Sequence, residues 1–328
     1  MKADSPDPLK GNGPSATDID WHRDMLSDRK RVRAFRDVIS RAVHPGDVVV
    51  DVGTGTGLLA LLAAKAGASK VYAIEQEGII HIARRMAADN GFSDRIVFLR
   101  GHSTEIELPE KADLLVGELI GSFGLEEEIL EVLSDARRRF LKPGGRLVPD
   151  GLDLILAPSE EGAQYTTWHL DLEAEFGLDF SGMADLAQHR SFGSWADENM
   201  LLASPTTVFS VDLADGPQGP IESEAETTIL RDGLLAGWVG WFEARHNGRS
   251  FIDTRPPIPG SSWENVIFPI GEPIAVRSGD SAKFKLRLDQ PFWSWEFQLN
   301  DQPARVFTEF NCETPLLVPV TASGVSAP

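Results

Sequence analysis

The chain has 328 residues, one cysteine (Cys312) and a formal net charge of −19, from 31 Lys and Arg against 50 Asp and Glu. That length holds two domains with cores of their own, and a lone cysteine leaves no disulfide framework or thiolate metal cluster and fits a reducing cytoplasm. Such an acidic chain repels nucleic acid and anionic membrane, favours a cationic substrate or partner, and carries no apolar run of membrane-spanning length.

Residues 1–17 are polar and rich in Pro and Gly, lack the apolar core of a signal peptide, and are expected to be disordered. From 18 to 43, the spacing of Trp21, Met25, Val32, Phe35, Val38 and Ile39 predicts one helix, which His44-Pro45-Gly46 ends. His22 and Met25 are three apart, as are Asp28 and Arg31, so each pair shares a face. On spacing alone, a solvated basic face accounts for these residues as well as a binding face does.

The stretch 48–75, VVVDVGTGTGLLALLAAKAGASKVYAIE, organises the rest. An apolar run ends in Asp51, glycines follow at 53, 55 and 57, and an Ala/Leu helix then stops at Gly67. A second apolar run ends in Glu75, which completes a βαβ unit with a glycine turn over a helix N-terminus. A dinucleotide fingerprint would need glycine at 58, where Leu58 stands. Asp51 is a poor neighbour for a pyrophosphate and a good one for a cationic amino group. Glu75 suits two ribose hydroxyls. S-adenosyl-L-methionine, leaving S-adenosyl-L-homocysteine, therefore fits this turn better than NAD.

Residues 78–90 read as a helix and 95–99 as a third strand, followed by Arg100-Gly101-His102-Ser103. Ligands of open α/β sheets lie beyond strand C-termini, which makes Ser103 and Thr104 candidates to border an adenine, with Glu105 a third. Residues 112–116 read as the fourth strand, ending at Gly117-Glu118, with a loop and then a helix from about 126. Glu118 and Glu127 are nine apart with Gly121 and Gly124 between them, the pattern of a loop that doubles back and points two carboxylates into one pocket. Two such carboxylates stay ionised when a planar guanidinium bridges them. The same Glu127, like Glu126 and Glu128, also fits an ordinary acid in a first helical turn.

Residues 142–145 read as a turn, 146–148 as a strand, and Pro149-Asp150-Gly151 as a domain boundary. Beyond it, strand alternation at 152–157, 208–213, 234–243, 282–289 and 292–300 predicts an antiparallel β domain. Residues 163–197 interrupt it with a helix-like aromatic segment containing Trp168, Phe176, Phe180, Phe192 and Trp195. Such a segment docks on a partner subunit or packs on its own domain.

From about Trp21 to about Asn300 the sequence resembles the protein arginine N-methyltransferase family. His22-x-x-Met25-x-x-Asp28-x-x-Arg31 matches the family's helix before the first strand; there the arginine grips the cofactor carboxylate and the methionine sits beside the reacting nitrogen. Asp51, Gly53, Gly55, Gly57 and Glu75 match the cofactor motifs. Glu118 and Glu127 match the glutamates of the family's double-E loop, which orient the substrate guanidinium. LDLEAEFGLDFSGMADLA resembles its dimerisation arm, and LAGWVGWFEA its β-barrel.

The resemblance implies a Rossmann-like domain at 18–150 and a β-barrel domain at 151–328, with a dimerisation arm about 163–197. It implies a homodimer and methylation of a guanidino nitrogen of arginine. Three departures stand out. The family's Thr-His-Trp triad aligns with Ser261-Ser262-Trp263, so Asp28 loses its histidine, while Trp263 stays at the substrate. The tyrosine-bearing lid ahead of His22 has no counterpart, because the only tyrosines are Tyr72 and Tyr165. Thr104 or Glu105 replaces the acid that binds the adenine. These departures imply a specialised bacterial member, with free arginine or another guanidino metabolite slightly ahead of protein arginine. A non-catalytic dimeric scaffold is the reading of another class.

Overall fold

The computed structural model describes residues 19–161, 176–180, 182–216, 220–289 and 292–309. The expected tail at 1–17, Trp168 with most of the expected arm, and Cys312 lie outside the described residues. The chain divides into two compact units. The first comprises Met1–Leu154, Phe209–Pro217 and Trp241–Glu264; the second comprises Ile155–Val208, Gln218–Gly240 and Asn265–Pro328.

In the first unit, the apolar run Val48–Val52 forms β1, flanked by β2 (Lys70–Glu75) and β4 (Ala112–Gly117). With β3 (Ile96–Arg100) and β5 (Leu141–Val148) they make a parallel sheet in the order β3-β2-β1-β4-β5. Val49 and Val50 are fully buried, as a central parallel strand covered on both faces requires. Strand order reverses between β1 and β4, which sets a crevice at their C-terminal ends. Helices α3 (Leu58–Ala66), α4 (Ile80–Asp89) and α5 (Ile129–Phe140) supply the connections.

Two helices stand where one was predicted at 18–43. They are α1 (Ile19–Ser27) and α2 (Arg29–Ala42). Asp28 breaks them apart: its backbone leaves the helical region at φ −68°, ψ 92°, and its Oδ1 accepts the Arg31 N–H at 2.9 Å, capping α2. Its Oδ2 accepts the Ser262 N–H at 2.8 Å and the Ser262 hydroxyl at 3.3 Å.

Other boundaries also moved. Helix α5 begins at Ile129 rather than about 126, because Glu128 adopts a left-handed φ of 56°. The predicted turn at 142–145 is an irregular start to β5, whose register on β4 jumps between Ala112 and Leu114.

The second unit contains a four-stranded antiparallel sheet, order β15-β14-β13-β9, from β9 (Ile221–Thr228), β13 (Ser281–Asp289), β14 (Phe292–Leu299) and β15 (Arg305–Thr308). Alternation fixes its register. Phe284 pairs with Phe297, Leu286 with Trp295 and Leu288 with Trp293, and all six are buried.

A further sheet has the order β7-β12-β10-β6-β8, from β6 (Gly151–Ser159), β7 (Phe192–Ser194), β8 (Thr206–Asp212), β10 (Gly233–His246) and β12 (Asn265–Val276), with β11 (Arg249–Asp253) on β10. The predicted antiparallel half is present as these two sheets. Strands β9, β11, β12 and β15 were not anticipated. In β12, Pro269 and Gly271 (φ 78°) interrupt the alternation. Of the helix-like segment at 163–197, the described part holds a short helix, Gly182–Ala187, and then β7, which pairs with β12.

Asp28→Ala removes an N-cap and leaves the part-buried Ser262 N–H without its acceptor. Denaturant unfolding of the variant should show a stability loss of about 1–3 kcal/mol at unchanged slope.

Candidate active site

The turn after β1 needs glycine for reasons visible in the structure. Gly53 has φ 70°, and a Cβ there would lie 2.7 Å from Leu119 Cδ2. Gly55 has φ 53°, and a Cβ would come within 3.3 Å of the His22 ring. Gly57, with φ 85°, is the N-cap of α3. His22 on α1 is 7% exposed and stands over this turn.

Asp51 lies beneath the turn, with no exposed surface. Its Oδ2 accepts the Thr54 hydroxyl at 2.5 Å and the Ala60 N–H at 2.9 Å. Its Oδ1 is buried and has no hydrogen-bond partner. Burial is the main cause that raises the Asp51 carboxyl to about 7, against the bonds from Thr54 and Ala60. Glu75 braces the turn from β2: Oε2 accepts the Gly55 N–H at 2.9 Å and Oε1 the Glu77 N–H at 2.9 Å. Each carboxylate oxygen retains a lone pair for a further donor.

These groups fit the amino acid and ribose of S-adenosyl-L-methionine. An orphaned buried carboxylate oxygen calls for a donor, and an ammonium group is the donor that also settles its charge.

Residues Ser103–Glu105 form a 3-10 turn just after β3. Ser103 is buried and its carbonyl accepts from Arg139. Thr104 is exposed, with its hydroxyl 2.6 Å from His102 Nδ1, and Glu105 is exposed. Sequence left the choice among the three open, and of them only Ser103 is buried.

The loop after β4 carries the acids. Glu118 Oε1 accepts the Ile120 N–H at 3.1 Å, and Oε2 is paired with Arg31. Glu126 turns back into its own loop, where Oε1 accepts the Phe123 N–H at 2.7 Å. A Cβ at Gly121 would collide with the Glu126 carboxylate, so glycine is required there. Glu127, one residue on, is free to face Arg31. It is open to solvent on one side. The protein around the carboxyl raises its pKa by desolvation, which the Arg31 charge opposes.

Arg31, from the first turn of α2, is the cation between these groups. It is bonded to Glu118, donates to Ser262 Oγ at 3.1 Å, and lies 4.7 Å over the Trp263 ring. Burial lowers its pKa to about 10, against the charges of Asp28 and Glu127. Trp263 is 6% exposed; its Nε1–H donates to the Ile120 carbonyl at 2.9 Å, and Phe242 packs edge-on at 5.2 Å. Met25 is half-buried on α1, one turn from His22.

Glu118 is thus ion-paired with a guanidinium that lies above an aromatic face, and the charge of Glu127, an exposed acid on the same loop, acts on that guanidinium without touching it. Sequence spacing singled out Glu118 and Glu127, and the family resemblance singled out Trp263. It missed Ser262 as a partner of both Asp28 and Arg31, and it missed Glu126 as the brace; Gly121 was the available signal for the latter. Among the described residues no group of three or more His, Cys, Asp and Glu could hold a metal ion, and no helix is long and apolar enough to cross a membrane.

The parallel sheet, the glycine turn with an acid below it and a second acid at the end of β2 define a class I methyltransferase, which uses S-adenosyl-L-methionine. The family model for ribosomal protein L11 methyltransferase (PrmA) matches residues 36–157, the part that holds this turn. Over 275 residues the chain is 31% identical to protein arginine N-methyltransferase 2 of Xenopus tropicalis, with 79% of this chain and 64% of that protein covered. Over 269 residues it is 31% identical to protein arginine N-methyltransferase 1 of Schizosaccharomyces pombe, with 79% and 78% covered.

The fold matches the solved structure of the Trypanosoma brucei PRMT1 enzyme-prozyme heterotetrameric complex with AdoHcy. The TM-score is 0.81 at 23% identity, over 90% of this chain and 100% of that one. It also matches Arabidopsis thaliana protein arginine methyltransferase 10, with a TM-score of 0.75 at 23% identity over 90% and 97% of the two chains. The chain belongs to the protein arginine N-methyltransferase family.

The raised Asp51 pKa has a definite sign. Between the unfolded value of 3.8 and about 7, the folded protein holds a proton that the unfolded chain has lost. Stability should therefore fall as pH rises through that window, by at most about 1.4 kcal/mol per pH unit. Asp51→Asn should remove this slope in denaturant melts run from pH 4 to pH 7.5.

Proposed function

We propose that the protein transfers a methyl group from S-adenosyl-L-methionine to a guanidino nitrogen of arginine in a protein or peptide. The observation that carries this reading is the ion pair of Glu118 with a guanidinium over Trp263, with Glu127 on the same loop near enough for its charge to act on that guanidinium. The names of the relatives support a protein substrate; they give no support to the free arginine that sequence placed slightly ahead. The net charge of −19 suits a basic segment around the target arginine.

The cofactor supplies an electrophilic methyl on a sulfonium. The Oδ1 of Asp51 receives its ammonium group, and Glu75 its ribose hydroxyls. Gly53, Gly55 and Gly57 leave room for its backbone approach, Ser103 and Thr104 border the adenine, and His22, Arg31 and Glu118 complete the pocket. Glu118 and Glu127 hold the substrate guanidinium by paired N–H···O bonds. They draw its positive charge onto the nitrogens that do not react and leave a lone pair on the third. A free guanidinium, with pKa above ~12, is a poor nucleophile. Positioning alone supplies up to ~7–11 kcal/mol in favourable cases, so a strong base is not required.

Met25 flanks the reacting nitrogen, and Trp263 presents its face to the guanidinium. After transfer the product sheds a proton, and the raised pKa of Glu127 makes it the better acceptor. Phe176, Leu178, Phe180 and Met183 are exposed at 60%, 54%, 42% and 38%, an apolar run that supports a homodimer.

Glu118→Gln and Glu127→Gln should each lower kcat on an arginine-rich peptide by about 100-fold or more, because each removes an oriented charge-assisted bond. Calorimetry should show that Glu127→Gln still binds S-adenosyl-L-homocysteine, which a misfolded protein would not. With labelled cofactor, mass spectrometry should find the methyl on peptide arginine. Label on free arginine alone would reverse the substrate assignment, and near-full activity in either variant would remove the double-carboxylate mechanism.

A further inference from the structure

The connection between β3 and β4 has little burial to hold it. Ser103 is buried, but none of residues 104–111 is. The 3-10 turn Ser103–Glu105 is closed by backbone bonds from the Glu105 N–H to the His102 carbonyl at 2.9 Å and from the Ile106 N–H to the Ser103 carbonyl at 3.3 Å. A single turn of this kind does not hold its shape by such bonds alone.

Arg139, in the last turn of α5, supplies the rest. Its Nη2 donates to the Ser103 carbonyl and its Nη1 to the Ile106 carbonyl at 2.7 Å, so one guanidinium grips the turn on both sides. Its Nε donates to Asp135 Oδ2 at 2.7 Å, one helical turn back, which balances the charge and fixes the fork. The guanidinium also lies 4.5 Å from the centre of the buried Phe140 ring. Lys111, at the far end of the connection, reaches back to the Arg138 and Arg139 carbonyls. The connection is thus tied at both ends to the last turn of α5.

This turn stands beside the acid proposed to take the ribose. Gly101, two residues before Ser103, donates its N–H to the Glu75 carbonyl at 3.1 Å. A nucleoside whose ribose is held by Glu75 presents its base to this stretch.

We infer that Arg139 is a positioning residue for the methyl donor: it holds the Ser103–Glu105 turn in the shape that reads the adenine, so its loss costs donor affinity and base selectivity and leaves methyl transfer itself intact. The inference rests on the placement of adenine at Ser103 and Thr104 proposed above. A fixed turn offers donors and acceptors at set positions, and 6-amino and 6-oxo purines present opposite patterns at that edge. A turn that wanders accepts either.

The test is calorimetric titration of the full chain with S-adenosyl-L-homocysteine and with S-inosyl-L-homocysteine, its 6-oxo analogue. The wild type should bind the adenosyl compound at least about 10-fold more tightly. In Arg139→Leu that ratio should fall to about 2-fold or less, with the adenosyl compound weakened by about 10-fold. Arg139→Lys keeps the charge, but an ammonium cannot match the fork, so its ratio should fall between. Arg138→Leu removes the exposed neighbour that shares Asp135 and should keep the wild-type ratio. In methyl transfer to an arginine-rich peptide, Arg139→Leu should raise the KM of the donor by about 10-fold with kcat within about 3-fold of wild type.

Unchanged affinity for the adenosyl compound in Arg139→Leu would overturn the inference. So would equal weakening of both compounds, because a merely structural arginine acts on both alike, or the same loss of ratio in Arg138→Leu. If Arg139→Leu does not fold, Arg139→Lys decides, and the wild-type ratio there overturns it. A wild type that binds both compounds equally would bring down the adenine placement and the inference with it, and one that binds neither would bring down the donor reading itself.

Discussion

A buried ion pair between Arg31 and Glu118 is the constraint around which the first unit is arranged. Burying a charge is costly, and a buried pair is rarely retained for stability, because well-packed apolar side chains do as well. Here the pair comes with fixed surroundings. Trp263 covers one face, Ser262 takes a guanidinium N–H, and the break between α1 and α2 sets where Arg31 leaves its helix. On the other side, Glu126 holds the loop's turn, while Glu118 on the same loop is turned to Arg31. Each of these groups would be free to vary if the pair were only structural.

The strand–turn–helix–strand unit proposed to hold the donor was legible in the sequence, because it is local. Strand, acid, glycines, helix and second acid follow one another within 28 residues, and each step has a steric or electrostatic reason readable from residue type. Glu118 and Glu127 were legible for the same reason, as acids spaced across two glycines of one loop. The elements that were missed depend on distant partners. Nothing near Asp28 says that Ser262, 234 positions away, will take its second oxygen, so the helix break was read as continuous helix. Strand β12 escaped because Pro269 and Gly271 break its alternation, although its pairing with β10 tolerates both through a bulge. The edge strand at Phe192–Ser194 is three residues long and gains its form only from β12.

The departures from the family pattern look different once the site is in view. They had suggested a small-molecule enzyme. Yet Ser262, where the resemblance places a histidine in the family, makes two bonds to Asp28. With Asp28 so satisfied, the missing histidine no longer argues for a different substrate. The relatives, all carrying arginine N-methyltransferase names, point the same way.

That serine has a consequence for the chemistry of the fastening. An imidazole at this position would exchange its proton within the physiological range and alter its grip on Asp28 as it did so. A hydroxyl and a backbone amide keep their hydrogens across that whole range. The tie between the start of α2 and the segment around Trp263 is therefore indifferent to cellular acidity. Any acid sensitivity in how this protein recognises arginine must enter through the carboxylates of the clamp rather than through the hinge that aims them.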